Sequence, residues 1–371
     1  MRDARVREIY AGVMSGTSLD GVDAVIADFA PPHGGVCRLL GAAHISFAPE
    51  LRDELLALQR AGHDELARAA RAANALADAY ADGLAAAVAH AGVPADEVVA
   101  AGVHGQTLRH CPHEGWTLQL NNPARVAERS GMRVVADFRS RDIAAGGQGA
   151  PLVPVFHAAL FRGDTHRVVV NVGGIANVTD LPPHGLVRGF DTGPGNVLLD
   201  LWHARHRNAA FDRDGAWARS GRADAALLAA LTSEPYFTRL PPKSTGRDLF
   251  NAEWLDARLA GRSIDAADVQ ATLLALTART IAAAVSAHCA ASTEVFVCGG
   301  GANNAALMDA LAGELAPRTL STTATLGVAV DHVEALAFAW LARAAIAGHP
   351  GNLPEVTGAR GLRVLGAIYP R

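Results

Sequence analysis

Four glycine-rich stretches carry the residue types that could do chemistry. Ser15-Gly16-Thr17-Ser18-Leu19-Asp20-Gly21, followed by Val22 and Asp23, sets hydroxyls and carboxylates among glycines. Gly173-Gly174 is the second stretch, and Asp191-Thr192-Gly193-Pro194-Gly195-Asn196 the third. The fourth is Gly299-Gly300-Gly301-Ala302-Asn303-Asn304. Glycine reaches positive φ and lets a backbone come close to a ligand. Successive N–H groups in such turns form concave anion sites. Taken singly, each stretch is an ordinary tight turn, because Gly and Asn favour turns. Taken together, with acids and hydroxyls in two of them, they point to a phosphate-binding surface. The familiar nucleotide motifs are absent. Lys243-Ser244 lacks the glycines of a Walker A loop. Gly193-Pro194-Gly195 lacks the third glycine and helix context of a dinucleotide fingerprint. His104, His110, Cys111 and His113 fit no standard zinc spacing.

Each stretch must be positioned by something, and the flanking pattern supplies strands. Residues 7–13 and 22–29 read as two apolar strands joined by the first glycine turn, a hairpin. A third strand is expected over 37–47. Residues 64–91 read as one long Ala-rich helix, stopped by Gly92 and Pro94. A strand over 98–103 leads into His104-Gly105-Gln106-Thr107, and a helix starts after Asn122-Pro123. The second half repeats the plan. A buried strand over 167–172 turns at Gly173-Gly174 and returns over 175–180. A strand over 186–190 ends in the Asp191 stretch. A helix over 268–290 precedes a strand over 294–297, which runs into the fourth glycine stretch. A last helix covers 332–347. Alternating strands and helices with a weak internal duplication predict an α/β fold with mixed, mostly parallel sheets.

At 371 residues the chain suggests two or three domains. The Gly-rich stretch 144–151 divides them. Half the residues are hydrophobic and 19% are charged, which predicts a large core rather than disorder. A formal net charge of −4 argues against a nucleic-acid partner. The mean hydropathy of +0.14 comes from dispersed Ala, Val and Leu, so no membrane association is expected. The N-terminal residues have no signal-peptide pattern. Cys37, Cys111, Cys289 and Cys298 form no CxxC pair, which suits a reduced, cytoplasmic protein.

The motifs VMSGTSLDGVDAV, GVHGQT, ADFRSRDIAAGGQGAPLVP, VNVGGIAN, GFDTGPGN, DHVEALAFAWLA and NLPEVTGA occur in that order over nearly the whole chain. Together they resemble the anhydro-N-acetylmuramic acid kinases. That family has the actin-like fold shared by sugar kinases and chaperone ATPases: two related lobes with the active site in the cleft between them. The expected first lobe is 1–145, carrying the phosphate hairpin, with 350–371 packing back on it. The expected second lobe is 146–349, carrying the catalytic aspartate and an adenosine-side loop. The implied reaction uses ATP, Mg²⁺ and water to convert 1,6-anhydro-N-acetylmuramic acid to N-acetylmuramic acid 6-phosphate and ADP, in bacterial cell-wall (murein) recycling.

The resemblance also implies roles for residues. Asp191 matches the catalytic aspartate, the general base for water. Gly16, Thr17, Ser18, Leu19, Asp20, Gly21, Val22 and Asp23 match the ATP phosphate segment, with Gly173, Gly174 and Gly193 as further nucleotide contacts. Asp20, or alternatively Asp23, would hold Mg²⁺ through water. Gly299, Gly300 and Asn303 would lie near adenosine. His104, Gln106, Arg139, Asp142 and Glu334 are nominated for the sugar. Among these, Arg139 suits the lactyl carboxylate, since a guanidinium can bind a carboxylate with two hydrogen bonds. Three alternatives compete with this reading. Another actin-like amino-sugar kinase would often need a zinc cysteine cluster that this chain lacks. A non-catalytic ATP-gated module would not need the full Asp191 motif, and a glycosidase with paired carboxylates would need no ATP. The oligomeric state stays open, a homodimer being one option.

Overall fold

The computed structural model describes residues 7–16, 18–30 and 36–371, so Thr17 of the expected phosphate segment lies outside the described residues. In chain order the strands are β1 (Ile9–Met14), β2 (Gly21–Asp28), β3 (Arg38–Ser46), β4 (Val98–Val103), β5 (Gln106–Cys111), β6 (Trp116–Leu120) and β7 (Val134–Ala136). They continue with β8 (Arg167–Val172), β9 (Ile175–Leu181), β10 (Arg188–Pro194), β11 (Glu294–Cys298), β12 (Thr319–Thr322) and β13 (Ala367–Tyr369). The chain forms two compact units. Unit 1 runs to Leu160 and also contains His332–Arg371, while unit 2 is Phe161–Asp331.

Unit 1 holds a sheet ordered β13-β7-β4-β1-β2-β3. β2 is antiparallel to both β1 and β3, while β4 is parallel to both β1 and β7. β1 is buried along its whole length and therefore reads as a continuous apolar run rather than an alternating one. Its two faces are covered by different helices. Ile9, Ala11 and Val13 share a core with Leu76, Tyr80 and Leu84 of helix Glu65–Ala91. That helix stops at Gly92 in the left-handed conformation, as an αL cap should. Gly12, on the opposite face, lies against helix Val333–Ile346. A Cβ there would collide with the carbonyl oxygen of Ala335, so only glycine permits the helix to sit this close.

Unit 2 holds a sheet ordered β10-β9-β8-β11-β12. β9 is antiparallel to both β8 and β10, and β11 is parallel to both β8 and β12. The order is third, second, first, fourth, fifth, the same as in unit 1 once β13 is set aside. The duplication read from the glycine hairpins is thus a duplication of strand order and direction, the arrangement expected of the actin-like α/β fold. Helix Ala266–His288 is long and apolar enough to cross a membrane by composition, but 72% of its most apolar window is buried inside the protein. Val269, Leu273, Leu276, Ile281 and Val285 join Val168, Val170 and Phe190 in the core. Burial of each such side chain contributes about 1.5–3 kcal/mol, which identifies it as a core helix.

The structure moves both expected domain limits. Residues 146–160 belong to unit 1, because Gly149 N–H bonds Asp142 and Gln148 N–H bonds Thr357. Residues 332–349 also belong to unit 1, through the helix over β1 and β4. The β5–β6 hairpin and the short strands β7, β12 and β13 were not expected. β10 reaches Pro194, so Asp191 lies within a strand rather than beyond its end. Cys37, Cys111, Cys289 and Cys298 form no disulfide with one another.

Candidate active site

Strand direction places the chemistry. β1, β4 and β7 are parallel, so their C-terminal ends share one edge of the unit 1 sheet. Ser15–Asp20 follows β1, His104–Gln106 follows β4, and Arg139 lies just beyond β7. Hydrogen bonds tie these loops together. His104 N–H donates to Val13 O at 3.1 Å, and Gln106 Nε2 donates to Gly16 O at 3.1 Å. Arg139 donates from Nε and Nη2 to His104 Nε2 at 3.1 and 2.9 Å, and from Nη1 to Gly149 O at 2.7 Å. Burial holds the His104 pKa well below the ordinary histidine value, and the Arg139 charge adds to the effect. The imidazole is therefore neutral and able to accept from the guanidinium. Gln106 Oε1 is buried without a hydrogen-bond partner, a vacancy in a fully buried side chain.

The hairpin turn itself is open. Ser18 Oγ donates to Asp20 Oδ1 at 2.6 Å, and Asp20 is exposed. Asp23 sits opposite His44 across β2 and β3, with His44 Nδ1 2.8 Å from Asp23 Oδ1. Of the two carboxylates offered for a metal, Asp20 is the one at the turn. Leu19 and Val22 are fully buried, so their side chains serve the core and only their backbones can serve a ligand. Among the described residues there is no group of three or more His, Cys, Asp or Glu side chains arranged to hold a metal.

Two sugar nominations fare differently. Glu334 opens helix Val333–Ile346, one turn before Phe338, whose ring centroid lies 4.7 Å from that of His104. Glu334 therefore belongs to the same neighbourhood. Asp142 does not. It is fully buried, and its oxygens accept from Gly149 N–H, Asn352 Nδ2 and Thr357 Oγ1, each at 2.8 Å. Its carboxylate pins the C-terminal segment to unit 1.

In unit 2, β8, β10, β11 and β12 all run the same way, and their C-terminal ends carry the remaining stretches. Asp191 pairs with Asn177 in β9, immediately before a register shift that leaves Thr192 as the extra residue of a bulge. It is only 7% exposed. The loop 236–245 holds it by three hydrogen bonds: Asp191 N–H to Lys243 O at 3.2 Å, Tyr236 OH to Asp191 O at 2.8 Å, and Thr245 N–H to Asp191 Oδ2 at 3.0 Å. Asn177 Oδ1 is buried with no partner.

The Gly173-Gly174 turn is locked to the end of β10. Its carbonyls accept from the N–H groups of Gly195, Asn196 and Val197 at 2.8–3.0 Å. A Cβ on Gly195 would strike the Gly173 carbonyl, which explains the glycine. The 195–197 amides are thus committed internally and unavailable to a phosphate. Gly299 ends β11 and donates N–H to Val330 O at 2.9 Å; exposed Gly300 follows it. Asn303 Nδ2 donates to Asp331 at 3.0 Å. An open depression of about 460 Å³ lies on this unit, lined by His203, Phe211, Asp212, Arg213 and Trp217 among others. Gly215, which lies in sequence between the lining residues Arg213 and Ala216, packs against Asn304 of the fourth glycine stretch.

Sequence reasoning located the aspartate but missed its holder. Tyr236 precedes, and Lys243 and Thr245 lie within, residues 241–250 (PPKSTGRDLF), to which no motif assigned a task; a lysine between a proline pair and a hydroxyl pair was the available signal.

Comparison with known proteins places these features in a family. A family model described as "Anhydro-N-acetylmuramic acid kinase" matches residues 8–371. A protein of that name from Ralstonia nicotianae is 55% identical, with 98% of each chain covered. One from Thiobacillus denitrificans is 53% identical, covering 98% of this chain and 97% of its own. Among solved structures, the activator of the 2-hydroxyisocaproyl-CoA dehydratase from Clostridium difficile with bound ADPNP aligns at a TM-score of 0.48 and 11% identity, over 89% of this chain and 92% of that one.

Proposed function

Because the chain belongs to the anhydro-N-acetylmuramic acid kinase family, we propose that it couples hydrolytic opening of the 1,6-anhydro ring to phosphorylation of O6, consuming ATP and water and giving N-acetylmuramic acid 6-phosphate and ADP. In this reading water attacks C1, and its proton passes to the Asp191 carboxylate. The bond from C1 to the bridging oxygen breaks, and that oxygen, now O6, attacks the γ-phosphorus. The bond from the γ-phosphorus to the ADP oxygen breaks. Atoms and charges balance without a further reactant.

The observation that carries the reading is the setting of Asp191. A base must be held where the proton will leave, and its position matters before its pKa. Asp191 is nearly buried at a strand bulge, and the backbone on both its sides is anchored by one loop. Thr245 N–H takes up Oδ2, which stabilises the ionised carboxylate and orients it.

Around this step the other residues bind and orient. The Gly16, Ser18, Asp20 and Gly21 backbone, together with the Ser18 hydroxyl, suits phosphate oxygens. Gly173, Gly174 and Gly193 supply further backbone for the nucleotide, with Gly299, Gly300 and Asn303 on the adenosine side. Asp20, a single exposed carboxylate, fits a Mg²⁺ ion that keeps most of its water; when bound, the ion would neutralise charge on the phosphates. Arg139 is the guanidinium for the lactyl carboxylate, held against neutral His104 so that its charge is not opposed by a second cation. Gln106 and Glu334 present polar atoms to the sugar hydroxyls. The reaction belongs to the cytoplasm and to murein recycling.

The test is mass spectrometry after incubation of the anhydro-sugar with ATP and Mg²⁺ in oxygen-18 water. The expected product is a sugar phosphate carrying the label at C1. A phosphorylated product without label would reject coupled hydrolysis.

A further inference from the structure

One buried ionisable group near Asp191 has no part in the steps above. Lys243 is 7% exposed, yet it forms no ion pair within salt-bridge distance among the described residues. Its Nζ instead donates to the carbonyl oxygens of Tyr236 and Phe237, at 3.3 and 3.2 Å. The same Nζ lies 4.8 Å from the Tyr236 ring centroid and 5.7 Å from that of Phe190, distances that favour a cation over an aromatic face.

These contacts close a ring. Tyr236 carries the hydroxyl on Asp191 O, Lys243 carries the carbonyl that accepts from Asp191 N–H, and Thr245 carries the N–H on Asp191 Oδ2. The Lys243 ammonium joins the Tyr236 end of this loop to the Lys243 end. Burying an ammonium without a paired carboxylate is costly, so the loop's own carbonyls and aromatic faces must compensate.

We propose that Lys243 is a positioning residue for the Asp191 carboxylate: its ammonium ties loop 236–245 closed around the aspartate and sets a positive charge beside it. This inference rests on the reading of Asp191 as the base. The groups facing the ammonium are Asp191 from β10, Tyr236 and Arg239 from the loop, and His288 from the end of helix Ala266–His288, while Asp248 reaches Tyr236. Burial lowers the lysine pKa, and Asp191 works in the opposite direction, which is the reciprocal of the support proposed here.

The experiment compares Lys243→Met, Lys243→Arg and Asp191→Asn by steady-state ADP release across pH, with thermal melting alongside. Lys243→Met is expected to lower kcat about 10²-fold, the size of loss that misplacing a reacting group produces, with the sugar KM within about twofold. The sign of the pH effect follows from the charge. Without the cation the carboxylate protonates at higher pH, so the acid limb of the profile moves up by about one pH unit. Lys243→Arg keeps the charge and should return the limb while recovering kcat only in part, since a planar fork does not reproduce a point charge. A merely structural lysine would not move the limb. If Lys243→Met melts below the assay temperature, Lys243→Gln, which keeps an N–H donor without the charge, tests the same contacts, and wild-type kcat and limb there overturn the proposal. Wild-type kcat and limb in Lys243→Met, with Asp191→Asn inactive, would overturn this proposal alone. Turnover retained in Asp191→Asn would instead overturn the reading beneath it.

Discussion

The two sheet edges share strand order and direction but hold their polar groups in opposite ways. The unit 1 turn ends in an exposed Asp20, steadied by Ser18. In unit 2, Asp191 is nearly buried, and its N–H, C=O and carboxylate are each engaged by one loop. Both edges come from the same hairpin plan, so the difference arises from the residues added to it. Under the proposed function the unit 1 turn takes and releases a charged nucleotide, and exposure suits that task. Under the same proposal Asp191 is the base, and a base gains from being fixed, because orientation supplies much of its rate advantage.

The sharpest way to break this contrast is Asp191→Asn. The amide keeps the shape and can still accept from Thr245 N–H, so the melting temperature should be unchanged. The amide cannot take a proton, and kcat should fall by roughly 10²–10⁴-fold, read by ADP release. A smaller effect, on stability rather than rate, is expected from Asp142→Ala. It strands the buried donors of Gly149, Asn352 and Thr357. The expected loss is about 2–4 kcal/mol by denaturant melt. A large rise in sugar KM with unchanged stability would return Asp142 to the ligand. The mildest change is Asp20→Ala. On an exposed turn it should leave stability within about 0.5 kcal/mol and raise the Mg²⁺ half-saturation concentration several-fold. A stability loss as large as that of Asp142→Ala would mean the turn is not as loosely held as its exposure implies.

Much of the fold was legible because apolar strands and glycine punctuation are local signals. The helix over 64–91 is Glu65–Ala91, and the strand over 167–172 is Arg167–Val172. The hairpin β5–β6 was hidden because its residues alternate irregularly across a register shift between Thr107 and Arg109. The short strands β7 and β13 pair with each other across most of the chain, which no local pattern reveals. At the site, Asp191 and Arg139 were visible through motif. The internal partners of Asp142 were not legible, because a buried structural carboxylate and a ligand-binding one look alike in sequence and only their hydrogen-bond partners separate them. Lys243 was visible as a residue but not as a task, since its partners are backbone carbonyls that sequence does not mark.

Unit 1 is built from both ends of the chain, and helix Val333–Ile346 meets β1 at Gly12. The ribosome therefore delivers the whole of unit 2 before the last piece of unit 1. Folding during synthesis cannot run from the first domain to the second in the usual order. Unit 2 can close while the β1–β2 sheet still waits with one apolar face uncovered, and the nascent chain carries that exposed face until helix Val333–Ile346 emerges.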